Sequence, residues 1–103
     1  LLPLLYAIRD IKSRVSYNNG MEYEKIYVET LVRFPAEGGM RPVAVIWENG
    51  SRFEIDRIKF IDRAPARVSA VLPMRYTCVM GGREKYLYFE EEGLRWFVER
   101  ERL

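Results

Sequence analysis

The sequence predicts a mainly β protein: a small antiparallel half-open barrel or rolled sheet of the SH3-like kind, preceded by an amino-terminal amphipathic helix. Three observations carry that expectation. From about residue 24 onward, apolar and polar residues alternate with period two, and β-branched and aromatic types dominate. Glycine-bearing turns recur at roughly ten-residue spacing with no helical period between them. The 103 residues suffice for one modest core and are too few for two ordinary domains.

The elements follow in order. Leu4, Leu5, Ile8, Ile11 and Val15 stand at helical spacing over residues 3–16, with Arg9, Asp10, Lys12, Ser13 and Arg14 on the other side and Pro3 in the first turn. Asn18-Asn19-Gly20 supplies a stop, because these residues tolerate the left-handed conformation that ends helices. Met21 follows, so residues 1–20 read as a helix or appended segment and residues 22–103 as a single antiparallel β domain. Strands are expected near 24–34, 42–48, 51–61, 74–80, 84–90 and 94–100. Asn49-Gly50 is the strongest turn signal, since a two-residue type I′ hairpin needs positive φ at both positions. Gly81-Gly82 and Glu92-Gly93 form the next two turns. Residues 35–41 make a longer, mobile loop, and residues 62–73, bounded by prolines, form an edge strand or an arch.

Register follows by counting outward from the two-residue turns. Position 75 lies beside 88 and 97, and 76 beside 87 and 98. One face of this meander then carries Met74, Tyr76, Cys78, Leu87, Phe89, Leu94, Trp96 and Val98 and is the core. The other carries Arg75, Thr77, Val79, Glu84, Tyr86, Tyr88, Glu90, Arg95, Phe97 and Glu99, and meets solvent, the helix or a partner. Around Asn49-Gly50 the same count sets Ile46 beside Phe53, Ala44 beside Ile55, Val45 beside Glu54, and Trp47 beside Arg52 as a cation–π pair. Ile58 and Phe60 are out of phase with Phe53 and Ile55, which predicts a bulge near Asp56-Arg57.

Composition narrows function. With 49% hydrophobic and 31% charged residues the chain is a folded domain rather than a disordered tail. Seventeen basic and fifteen acidic residues give a net charge of +2, so attraction to a polyanion requires uneven placement of the charges. One cysteine, Cys78, and no histidine exclude an internal disulfide and a Cys/His zinc site. A reducing cytoplasm is the expected compartment. The opening Leu-Leu-Pro-Leu-Leu-Tyr-Ala-Ile is far shorter than the ~20 residues a spanning helix needs, so no membrane segment is expected.

The candidate contact surface is the strip Arg75, Tyr86, Tyr88, Arg95 and Phe97, with Trp47 and Arg52 as neighbours. A planar aromatic accepts a base and a cation holds the phosphate, the chemistry of single-stranded nucleic-acid binding. The competing reading is that cross-strand aromatic and Arg pairs stabilise a half-exposed sheet or pack under the helix. Glu84, Glu90 and Glu99 share the face and oppose a phosphate path, and Glu90 opposite Arg95 is an ordinary cross-strand ion pair. The mixed charges Arg41, Arg52, Arg57, Lys59, Arg63 and Arg67 with Glu54, Asp56 and Asp62 read as a solvated surface. Cys78 falls on the core face and has no histidine to activate it. The acidic residues Glu22 and Glu24, and Glu90, Glu91 and Glu92, have nothing to hold them in a dry pocket. The Gly-Gly pairs lack a phosphate-loop context. No enzyme, cofactor or metal is expected.

The order Pro42-Val-Ala-Val-Ile-Trp47, Gly50, Phe53-Glu-Ile-Asp56, Arg75-Tyr-Thr, Gly82, Leu87-Tyr-Phe-Glu90 and Arg95-Trp-Phe-Val98 resembles a group of small bacterial β-domains of unknown function. It is also similar to the tail of inactive Y-family DNA polymerase homologues of bacterial mutagenesis cassettes. The resemblance spans residues 42–98 and implies a small β fold with no catalytic residue. The functional expectation is a non-catalytic module that binds single-stranded nucleic acid weakly; the alternative is a protein-interaction or self-association module using the aromatic strip or the helix.

Overall fold

A computed structural model describes residues 15–18, 21–66 and 72–102. Eight strands appear in chain order: β1 (Val15–Asn18), β2 (Met21–Arg33), β3 (Arg41–Ile46), β4 (Arg52–Glu54), β5 (Arg57–Arg63), β6 (Met74–Met80), β7 (Arg83–Glu90) and β8 (Arg95–Arg102). All pairings are antiparallel, and one sheet runs β4-β3-β2-β8-β7-β6-β5 with β1 paired to β2. The fold is thus mainly β, as the alternating pattern predicts. Among the described residues there is no helix. The expected helix lies outside them up to residue 14. At its last two positions, Val15 and Ser16, the chain is instead extended and pairs with Glu24 and Tyr23. Asn18, read as part of a helix stop, pairs with Met21.

The sheet curls because two elements change partners. The 13-residue β2 pairs with β8 over Glu22–Val28 and with β3 over Glu29–Arg33, where a bulge falls between Leu31 and Val32. The single strand expected over 51–61 is two strands on opposite ends of the sheet order. At the joint, Ile55 N–H donates to Val43 O at 3.0 Å and Asp56 N–H to Val79 O at 2.8 Å. Consecutive residues thus bond to β3 on one side and β6 on the other, bringing the two ends of the sheet together. A register shift also occurs, between Ile58 and Phe60, just beyond the position expected for the bulge.

Three hairpins test the turn chemistry. Gly81 and Gly82 both have positive φ, 59° and 77°, and Met80 pairs with Arg83, so this is the two-residue turn predicted. At Asn49-Gly50 only Gly50 is left-handed, with φ 87°. Trp47 bonds Ser51 O, and Gly50 N–H bonds Trp47 O. The loop is therefore one residue longer, a turn followed by a glycine bulge. Every pairing slips by one: Ala44 faces Glu54, Val45 faces Phe53 and Ile46 faces Arg52, correcting the expected Ile46/Phe53, Ala44/Ile55, Val45/Glu54 and Trp47/Arg52 pairs. At Glu92-Gly93 the ladder closes at Glu90 and Arg95, leaving residues 91–94 in the loop. Parity survives, but Leu94, expected in the core, sits at φ 53° and is 75% exposed.

The core gathers Ile26, Val28, Val45, Tyr76, Cys78, Leu87, Phe89 and Trp96, with Met74, Met80 and Val98 partly buried against it. Of the residues assigned to the core face by counting, all but Leu94 are there. Burial pushes the Cys78 thiol up to about 11, and it also raises the Tyr76 phenol. The sign is set by the proton: between pH 9 and about 11 the unfolded chain releases the Cys78 proton while the folded chain keeps it. Unfolding free energy should therefore hold below that window and fall through it, by up to roughly 2–3 kcal/mol from this group. Urea midpoints measured across the window are expected to fall less steeply in Cys78→Ala than in the parent; equal slopes would remove Cys78 from the alkaline loss.

Candidate binding site

The strip expected on the second face exists as an array, but it is not uniformly exposed. Arg75 pairs with Tyr88 and Tyr88 with Phe97, as counted. Tyr88 and Phe97 stack at 5.0 Å and 12° and are only 2% and 0% exposed. Buried faces do not receive a ligand base, so these two belong to a second packed layer. Tyr86, at 45% exposure, is the aromatic of the strip open to solvent, and the Arg75 guanidinium lies 4.5 Å over its ring. Arg75 also reaches Asp62 at 3.3 Å.

The second layer is organised by two residues that sequence reasoning missed, Lys25 and Tyr27 on β2. The β2–β8 ladder sets Tyr27 beside Phe97 and Lys25 beside Glu99. Lys25, 2% exposed, donates from Nζ to Glu90 Oε2 at 2.7 Å and sits 4.4 Å from the Phe97 ring centroid. Tyr27 OH donates to Glu90 Oε1 at 2.7 Å. Arg95 lies 4.6 Å over the Tyr27 ring and 3.6 Å from Glu90 Oε1. Arg95 Nε and Nη1 find no acceptor among the described residues, so its stacking on Tyr27 is the larger part of its role here. Glu90 does face Arg95 as the expected cross-strand ion pair, and it is also the shared acceptor of Lys25 and Tyr27, which lie more than sixty residues away in the chain. No local pattern announces such a cluster.

Beside this layer the sheet opens. The β7–β8 ladder runs only from Glu90/Arg95 to Tyr88/Phe97. Beyond it β7 continues along β6 and β8 along β2, and Leu87 and Val98, expected as neighbours, become walls of a cleft of about 860 Å³. Trp47, Phe53, Tyr86 and Tyr88 supply its aromatic lining, Val45 and Met80 further apolar lining, and Arg52, Lys85 and Arg100 its cations. Thus Trp47 and Arg52 do reach the same site as Tyr86, though not as a mutual pair. Arg52 is bonded to Glu54, and the cation nearest Trp47 is Arg100, 5.9 Å from the ring. Phe53, displaced by the register slip, lines the cleft and is 48% exposed.

Most charges of the cleft are already engaged. Arg100 bonds Glu24 at 3.0 Å, and the Asp56 carboxylate accepts from Gly81 N–H at 3.1 Å. Lys85 is exposed and has no ion-pair partner among the described residues. Nor, among those residues, do three Cys, Asp or Glu side chains gather as a metal ion would require, and no helix is long and apolar enough to cross a membrane.

Fold and site together define a class, a curled antiparallel β domain with an aromatic-lined cleft at the break in its β7–β8 ladder. No family model, curated protein or solved structure matches the chain.

Proposed function

We propose that this protein is a non-catalytic binding module that takes weakly held single-stranded nucleic acid, and that the contact is the cleft rather than the whole aromatic strip. The observation that carries this reading is the position of Tyr86. It lines both the cleft and a smaller depression of about 380 Å³, where the Arg75 guanidinium lies over its ring, and Lys85 lines the cleft beside it. Trp47 and Phe53 offer further stacking faces along the same path, and base–aromatic stacking contributes about 1–3 kcal/mol per base. Glu54, Asp56 and Glu99 also line the cleft, which keeps the affinity low, while the cations make it salt-sensitive. The reading is non-catalytic because most charged groups of the cleft are already engaged, Arg52 with Glu54, Arg100 with Glu24 and Asp56 with Gly81 N–H. The bent joint at Ile55–Asp56 supports grouping the fold with SH3-like small barrels, and the resemblance to polymerase-homologue tails leans the same way, towards a bacterial, cytoplasmic role near nucleic acid.

Titration of labelled oligonucleotides at two salt concentrations tests this. Tyr86→Ala is expected to weaken binding by about 5- to 100-fold, and Lys85→Gln to lower the salt slope by about one. Binding that ignores salt, or that Tyr86→Ala leaves untouched, would overturn the proposal. The second reading, self-association, is favoured by a different feature, the exposed apolar residues of β5.

A further inference from the structure

The strand β5 is the last in the sheet order and pairs with β6 alone among the described strands. All of its residues but Ile58 are exposed, including Phe60 at 61% and Ile61 at 51%. An edge with unpaired backbone groups and apolar side chains is a template for another strand, and proteins usually blunt such edges with charged side chains, proline or a bulge. The charges of Asp56-Arg-Ile-Lys-Phe-Ile-Asp-Arg63 are instead arranged so that the segment complements itself.

We propose that β5 pairs antiparallel with β5 of a second copy of this chain, about a two-fold axis between Lys59 and Phe60. In that register Ile61 faces Ile58 of the second copy, Asp62 faces Arg57 and Phe60 faces Lys59. Two-fold symmetry repeats each contact, so apolar meets apolar, acid meets base and a cation meets a ring. A one-residue shift either way sets Asp62 against Asp56 or Arg63 against Arg57, like charges that oppose it. Arg57 has no ion-pair partner among the described residues, and Asp62 holds Arg75 only at 3.3 Å, so both are open to the new contact. The register shift between Ile58 and Phe60 lies at the axis and limits the paired length. An interface this short is weak and reversible. It closes at the dimer, since an isologous contact uses its own edge up and β4, at three residues, is too short to continue the chain of pairings.

Sedimentation equilibrium of the full chain from micromolar to millimolar concentration is expected to show the mean mass rising towards twice the monomer. Arg57→Glu should weaken association by about tenfold or more, because two attractive pairs become repulsive, and adding Asp62→Arg to it should restore the parent constant. Both positions are exposed, and unchanged thermal midpoints would show that the fold is retained. A parent chain that stays monomeric throughout, or a dimer indifferent to Arg57→Glu, would overturn the proposal. So would a double variant no tighter than the single one.

Discussion

Glu90→Leu is expected to lower the unfolding free energy by roughly 3–5 kcal/mol, because it leaves a buried ammonium without its counter-charge. The Lys25–Glu90 pair has side-chain exposures of 3% and 12%, so water compensates little. Half-buried Tyr27 loses its acceptor in the same step, and the lost hydrogen bond adds a smaller part of that total. The Phe97 ring 4.4 Å from Lys25 Nζ retains some stabilisation of the charge and sets the lower end of the range. Small domains are stable by only about 5–15 kcal/mol, so this variant should sit near the unfolding threshold. Glu90→Gln keeps an acceptor for Tyr27 and should cost less. Replacing both partners, Lys25→Met with Glu90→Leu, should recover most of the loss, since an apolar pair of similar volume avoids desolvation altogether. Urea midpoints followed by tryptophan fluorescence give the comparison; a Glu90→Leu midpoint close to that of the parent would remove the cluster from any account of stability.

Phe97→Ala should cost about 3–5 kcal/mol, as large-to-small changes of fully buried rings do. Phe97 is 0% exposed, stacked on Tyr88, edge-on to Tyr27 at 6.0 Å and in contact with the Lys25 cation. Its removal therefore opens a cavity and also strips a ring from a charged group. Tyr86→Ala, on the same face and near it in the same sheet, should change stability by no more than about 0.5 kcal/mol, as surface substitutions do. If the two variants unfolded at the same urea concentration, the division of the strip into a buried layer and an exposed contact would be wrong.

That contrast marks how far sequence reasoning reaches. Parity around Gly81-Gly82 assigned Tyr76, Leu87 and Phe89 to the core because a type I′ turn with two glycines has one register and alternation then fixes every face; counting from Glu92-Gly93 added Trp96. The same logic slipped at Asn49-Gly50. There only the glycine adopts positive φ, the turn gains a residue, and Phe53 comes to face Val45 instead of Ile46. Asparagine tolerates the left-handed region without requiring it. Leu94 failed for a related reason: the pairing frame was right, but the loop claimed the residue.

Burial on the second face was not legible at all. Alternation tells which residues share a face; it does not tell whether that face is covered. Tyr88 and Phe97 are buried, and Lys25 meets Glu90 because β2 runs beside β8, a contact between segments distant in sequence that no short-range pattern encodes. By itself, then, the sequence determined most of the strands, the places of the three hairpin turns and the parity of the hydrophobic core, since these follow from local backbone preference and the two-residue period of a pleated chain. Only the tertiary structure decided which aromatic residues face water, where the β7–β8 ladder opens into a cleft, and that a lysine is buried. Those outcomes depend on which strands become neighbours, and neighbours are chosen by the closure of the whole sheet.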